Sequence, residues 1–194
     1  MGYIHDFLFG RDRRVCPWYC CSMVSPINFI RRLVQDPKKI LSGFINSGDT
    51  VIDIGPGQGF FTFPMAEMVG KDGKIVAIDI QEKMLLILER QVKKAGLENS
   101  IHCKLIFDTN YGFNSEVDFV LAFWMVHEVP DKKAFLNSIC TALKPNGKLL
   151  IAEPSIHVTR KSLEETLALC ETLGLRHIGS PKIFFSRSIV LQKE

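Results

Sequence analysis

Nine residues constrain this chain more than any others: Val51-Ile52-Asp53-Ile54-Gly55-Pro56-Gly57-Gln58-Gly59. The β-branched run Thr50–Ile54 reads as a buried strand, and the glycines after it read as a tight turn into a helix over Thr62–Val69. Pro64 is compatible with that helix only if it starts near Thr62, because proline is tolerated in the first turn and nowhere further in. In an open α/β sheet this arrangement puts the glycines at the carboxyl edge, where such folds bind ligands. Absent Cβ atoms let a ligand approach the backbone, and a helix N-terminus adds free N–H donors for a carboxylate or phosphate.

The chain beyond Thr50 continues the same pattern, with short apolar strand-like runs alternating with helical periods. Strands are expected at Thr50–Ile54, Lys74–Asp79, 102–107, 117–122 and 148–152. Helices are expected at Thr62–Val69, Glu82–Ala95, 131–143 and 162–173, the last opened by Ser162 and Glu165 at capping-box spacing. Residues 176–178 and 184–191 read as two further strands around the Gly179-Ser180-Pro181 turn, which makes a closing hairpin. The expected fold is α/β: a doubly wound, mostly parallel seven-stranded sheet with a C-terminal antiparallel hairpin and short N-terminal helices. Ser25-Pro26 and Asp36-Pro37 each set a capping residue before a proline suited to the first helical turn. Residues 1–45 are thus expected to be a helical cover or lid over a core at 46–194, all within a single domain covering 1–194.

Composition bounds the setting. A chain of 194 residues, 46% hydrophobic and 23% charged, is long enough for one domain with a sizeable core. The longest apolar run, 119–126, falls well short of the ~18 residues of a membrane span, and no signal segment opens the chain. Six cysteines without such a signal suggest reduced thiols, so the cytoplasm is the expected compartment. The net charge is +3, with a balance of +4 in residues 1–40 and −1 in the remainder. No aromatic ladder interleaves those basic residues, so a solvated surface is expected there rather than a nucleic-acid face.

A second acid gives the glycine loop its meaning. Asp79 ends the next strand, 26 positions after Asp53, where a carboxylate can accept both ribose hydroxyls of a nucleoside. The dinucleotide fingerprint is G-x-G-x-x-G, whereas Gly55, Gly57 and Gly59 are spaced G-x-G-x-G behind an acid. That favours S-adenosylmethionine (SAM), since Asp53 would repel a pyrophosphate but could orient an amino group.

The stretch 51–83, together with His127-Glu128-Val129-Pro130-Asp131 and 143–151 (LKPNGKLLI), resembles the class I SAM-dependent methyltransferases. Within them it resembles most the branch containing the ubiquinone/menaquinone C-methyltransferases, over roughly residues 37–192, with a Rossmann-like core. The resemblance implies that Asp53, Gly55, Pro56 and Gly57 surround the methionine part of SAM and that Asp79 holds its ribose. It implies Ile80 and Met84 against the adenine, Asp108 on the adenine amino group, and Ala122 and Phe123 beside the sulfonium.

The acceptor side is less defined. Methyl transfer works by orientation and exclusion of water, with a base where the acceptor must lose a proton. His127 and Glu153 are the catalytic candidates, both beyond strand ends, with Glu128 a helix-edge acid. No Asn/Asp-Pro-Pro-aromatic tetrapeptide follows the fourth strand. Phe123, Trp124 and Met125 stand there instead and suit a hydrophobic or soft small molecule. Cys16, Cys20 and Cys21 open an alternative, a metalloid or thiol methyltransferase, although their spacing matches no zinc signature and buried free thiols are the favoured explanation. Trp18 and Tyr19 would be the contacts of a lid. A nicotinamide-dependent oxidoreductase, a non-catalytic SAM-binding protein and an RNA methyltransferase using the basic segment are the remaining alternatives.

Overall fold

The structure, a computed structural model, describes residues 34–106 and 116–194. Its first element is the short helix α1 (Pro37–Leu41), which begins where expected: the Asp36 carboxylate accepts from the amides of Lys38 and Lys39. The second expected N-terminal helix, at Ser25-Pro26, lies outside the described residues, as do Cys16, Trp18, Tyr19, Cys20 and Cys21.

Seven strands form one sheet: β1 (Thr50–Ile54), β2 (Lys74–Asp79), β3 (Ile101–Leu105), β4 (Val117–Phe123), β5 (Leu143–Pro154), β6 (Leu175–Gly179) and β7 (Ser186–Lys193). Their spatial order is β3-β2-β1-β4-β5-β7-β6. The first five run parallel, and β7 joins β5 and β6 antiparallel as the closing hairpin. Chain order reverses direction between β1 and β4, so the crevice of this doubly wound sheet opens beyond their carboxyl ends.

The helices α2 (Thr62–Val69), α3 (Glu82–Ala95), α4 (Lys132–Ala142) and α5 (Arg160–Thr172) cover both faces. Alternation along the strands splits the core in two. Val51, Phe119, Leu121 and Leu150 face α1, α2 and α3 through Leu41, Met65, Val69, Leu88 and Val92. Ile52, Ile54, Val120 and Ile151 face α4 and α5 through Phe135, Leu136, Ile139 and Leu163. Strands buried on both sides explain the near-continuous apolar runs of the sequence.

Several expected boundaries differ, two of them for a visible physical reason. β5 starts at Leu143 rather than 148, because Leu143 already pairs with Val117 across a bulge and Asn146 absorbs a positive φ of 65°. The cap of α5 is Thr159 and not Ser162: the Thr159 backbone is extended and its hydroxyl accepts from the Ser162 amide, so helix geometry starts two residues earlier.

Candidate active site at the switch point

The glycine loop runs from β1 into α2 as the sequence requires. Gly55, Gly57 and Gly59 all have positive φ, 69°, 56° and 91°, a conformation that side-chain-bearing residues adopt at a cost. Gly59 carries a further constraint, since a Cβ there would stand 2.5 Å from the Phe63 ring and 2.9 Å from Leu88. Its role is to let α2 and α3 close on the loop. Gly55, by contrast, is exposed, and its nearest side-chain neighbour would be Met125.

Asp53 is buried at the end of β1, where its Oδ2 accepts from the Thr62 hydroxyl at 2.6 Å. That bond ties the strand end to the first turn of α2 and fixes the path of the loop between them. Thr62 was not singled out by sequence reasoning, although a hydroxyl at the helix start was the available signal.

Asp79 ends β2 on the adjacent strand, partly exposed at the crevice rim. Its Oδ1 accepts from the Gln81 amide at 2.9 Å. Loss of water around the carboxylate dominates over the amides of Gln81 and Ile80 and pushes its carboxyl up to about 6. Ile80 stands beside it with its side chain exposed, whereas Met84 is fully buried beneath the first turn of α3. Ala122 and Phe123 are buried at the end of β4. Asp108 lies outside the described residues.

This crevice fits a SAM molecule by its own chemistry. A backbone cradle without side chains lies one strand away from a desolvated carboxylate, which gains most from hydroxyl donors.

Beyond β4 the chain makes a second construction. Trp124 takes a positive φ of 59° and is held by its amide, 2.7 Å from the Ala152 carbonyl, and by its indole N–H, 2.8 Å from the Ser186 hydroxyl. Met125 then abuts Gly55, and the 3-10 turn Val126–Glu128 presents His127. Glu153, only 3% exposed at the end of β5, accepts from the His127 amide at 3.0 Å and pairs with its Nδ1 at 2.6 Å. The two catalytic candidates of the sequence are therefore one unit. The Glu153 hydrogen bond is the main cause that raises the His127 pKa above its ordinary 6.5, aided by the charges of Glu153 and Glu128 and opposed by burial and Lys132. Glu128 Oε1 lies 3.9 Å from Nε2, in a 3-10 turn rather than at the helix edge expected. The exposed His157 ring stacks on His127, with centroids 5.9 Å apart and planes 9° from parallel. Nothing in the sequence pattern linked these two histidines.

Among the described residues no group of three or more His, Cys, Asp or Glu could hold a metal ion. The described thiols Cys103 and Cys170 are pushed up to about 11 and about 12, chiefly by burial, so both stay protonated. No helix of the described residues is long and apolar enough to cross a membrane.

Fold, switch-point loop and strand-ending Asp79 are those of the class I SAM-dependent methyltransferases. Residues 45–178 match the model of a family described as methyltransferase domain, and the chain belongs to that family. It is similar to the ubiquinone/menaquinone biosynthesis C-methyltransferase UbiE of Francisella tularensis subsp. novicida, 30% identical over 131 residues, which are 62% of this chain and 50% of that protein. A demethylmenaquinone methyltransferase of Lactobacillus johnsonii is 29% identical over 112 residues, 57% of this chain and 46% of that one. The chain thus spans about half the length of these relatives. Among solved structures, a SAM-dependent methyltransferase from Aquifex aeolicus superposes with a TM-score of 0.81 at 25% identity, covering 93% of this chain and 100% of that one. These relatives favour SAM as cofactor over a nicotinamide.

Proposed function

We propose that the protein methylates a small, largely apolar acceptor that surrenders a proton during transfer, with His127 as the base and Glu153 as the residue that positions it. The observation that carries this reading is the 2.6 Å His127–Glu153 pair, set beside the loop by the contact of Met125 with Gly55. With Nδ1–H donated to the buried carboxylate, the imidazole keeps its Nε2 lone pair for the acceptor's proton. The resulting imidazolium lies between Glu153 and Glu128, which stabilise the charge it gains.

Bound SAM supplies an electrophilic methyl group, whose carbon bonds to the acceptor atom as the carbon–sulfur pair stays on sulfur. Asp53, Gly55, Pro56 and Gly57 would hold its methionine part, Asp79 its ribose and Ile80 its adenine. Trp124 and Met125 line the step between loop and dyad and exclude water from it. The names of two relatives, a C-methyltransferase of quinone biosynthesis and a demethylmenaquinone methyltransferase, agree with an apolar acceptor. The absence of Asn/Asp-Pro-Pro-aromatic after β4 weighs against planar amino groups.

The test is transfer of labelled methyl from SAM to fractionated small metabolites. His127→Ala should slow it by about 10²–10⁴-fold, the usual contribution of a general base. Binding of S-adenosylhomocysteine in calorimetry should stay unchanged. A rate within threefold or so of the parent would remove His127 from the chemistry.

A further inference from the structure

Two loops at the acceptor end of the sheet form a lobe that the methyltransferase reading leaves unused. One, residues 155–159, follows β5, and the other, 180–185, joins β6 to β7. The antiparallel pairing of Pro154 with Ser186 sets their bases side by side. They are tied together: the Ser155 amide donates to the Phe185 carbonyl at 2.9 Å, and Arg187 Nη1 donates to the carbonyls of Ser155 and Val158 at 2.6 and 3.0 Å. Ser188 Oγ donates to the Pro181 carbonyl, and buried Gln35 donates to the Phe184 carbonyl at 2.6 Å. This is a fixed projection.

Its tip is apolar. Ile156 is 81% exposed, Phe185 63% and Phe184 50%, the two rings meeting edge to face at 4.3 Å. Phe185 also holds a positive φ of 56°, a strained state for an aromatic residue that neither core packing nor a hydrogen-bonded side chain repays. The rim is basic. Arg160, Lys161 and Lys182 are exposed in or directly beside the two loops, and residues 154–163 and 180–188 contain no acid; of the acids that flank them in sequence, Glu153 is buried against His127, and Glu164 and Glu165 lie one turn into α5. Arg160 and Lys161 occupy the first turn of a helix, where the macrodipole favours acids and none is present.

An aromatic tip inside a basic collar matches an anionic bilayer surface, apolar side chains entering the acyl boundary while Lys and Arg meet headgroup phosphates. We infer that this lobe docks the protein on anionic lipid, presenting the crevice mouth to the membrane. His157 belongs to the same loop as Ile156 and stacks on His127, so docking would bring the dyad within a few side chains of the interface. An apolar acceptor could then pass from lipid to site without crossing water.

The experiment is co-sedimentation of the full chain with vesicles of phosphatidylcholine, alone and mixed with phosphatidylglycerol. The parent should partition onto the mixed vesicles at least about tenfold better than onto phosphatidylcholine, and less so at high salt. The double variant Ile156→Ser, Phe184→Ser should lose about tenfold of that binding, and Lys182→Glu, which adds repulsion to a lost contact, roughly five- to twentyfold. Melting temperature and S-adenosylhomocysteine affinity of each variant, both unchanged, separate this loss from misfolding and from the methyl-transfer reading. Failure of the parent to bind mixed vesicles, or equal binding by the variants, would overturn the proposal. So would a self-association of the parent in sedimentation equilibrium that the double variant abolishes, since the tip would then belong to a second copy.

Discussion

The two sides of the switch point are built from different materials. At the ends of β1 and β2 the site is mostly backbone: three glycines with positive φ, one buried carboxylate that fixes the loop, and one carboxylate at the rim. At the ends of β4, β5 and β7 it is side chains from three distant segments, His127, Glu153 and the Trp124–Ser186 pair. A backbone cradle needs its residues in one stretch, because one turn makes it. A side-chain assembly needs only that the sheet bring strand ends together. The difference predicts that substitutions on the β1–β2 side will act on folding and cofactor affinity, and those on the β4–β5–β7 side on acceptor binding and turnover.

The sharpest test of the first half is Gly59→Ala. The new methyl group meets Phe63 and Leu88 well inside contact distance, and a φ of 91° is strained for alanine. Strain and overpacking together should cost roughly 2–5 kcal/mol, a fall in melting temperature of roughly 5–15 °C. A melting curve within a degree or two of the parent would show that the loop relaxes easily and that the helices do not depend on it.

Asp79→Asn should move two quantities in opposite directions. The carboxyl sits at about 6 in the fold against 3.8 for the free side chain, so the folded state binds the proton more tightly than the unfolded chain. Stability therefore falls as pH rises from near 4 to near 6, and the ionised group is a burden at neutral pH. Removing its charge while keeping the Gln81 contact should stabilise the unliganded protein by about 1–2 kcal/mol at pH 7. The same change should weaken S-adenosylhomocysteine by about 1–3 kcal/mol, the scale of charged hydrogen bonds. Calorimetry showing unchanged affinity would take the ribose away from Asp79.

On the other side, Glu153→Gln keeps the shape of the dyad and removes the charge. We expect kcat/KM at neutral pH to drop about tenfold, a part of the 10²–10⁴ that a general base contributes. The pH profile discriminates further. His127 must be neutral to act, and its raised pKa makes activity fall as pH drops through a value above 6.5; the variant's acid limb should lie lower. A limb that stays in place would mean that another group titrates. Stability responds with the opposite sense: the raised pKa stabilises the fold below pH 6.5, and that gain disappears as pH rises through the folded value.

The same contrast explains what could be read in advance. Asp53, the glycines and Asp79 were legible because period, turn and strand end each left a local mark, and four boundaries, Thr50–Ile54, Thr62–Val69, Lys74–Asp79 and Glu82–Ala95, coincide with the observed elements. His127 and Glu153 were each legible as polar residues beyond a strand, but not as partners, because a 2.6 Å contact across 26 positions leaves no periodic trace. His157, Ser186 and Phe185 were not legible at all. Their roles depend on β7 lying antiparallel beside β5, a register that the hairpin turn alone does not specify.

The smallest effect probes how far the second half depends on that register. Ser186→Ala removes only the acceptor of the Trp124 indole N–H, and the residue before the Met125 step is already in a costly conformation at a φ of 59°. The lost bond should destabilise the protein by about 1 kcal/mol. Trp124 would keep its amide bond to Ala152 but lose the tether that aims its ring, so acceptor binding should loosen while cofactor binding does not. The expected signature is a KM for the acceptor raised a few-fold, with kcat and S-adenosylhomocysteine affinity close to those of the parent. If cofactor affinity fell in step with acceptor KM, the two halves would be coupled through Trp124 and Met125 against Gly55. The division between a backbone-built and a side-chain-built site would then describe its construction but not its working.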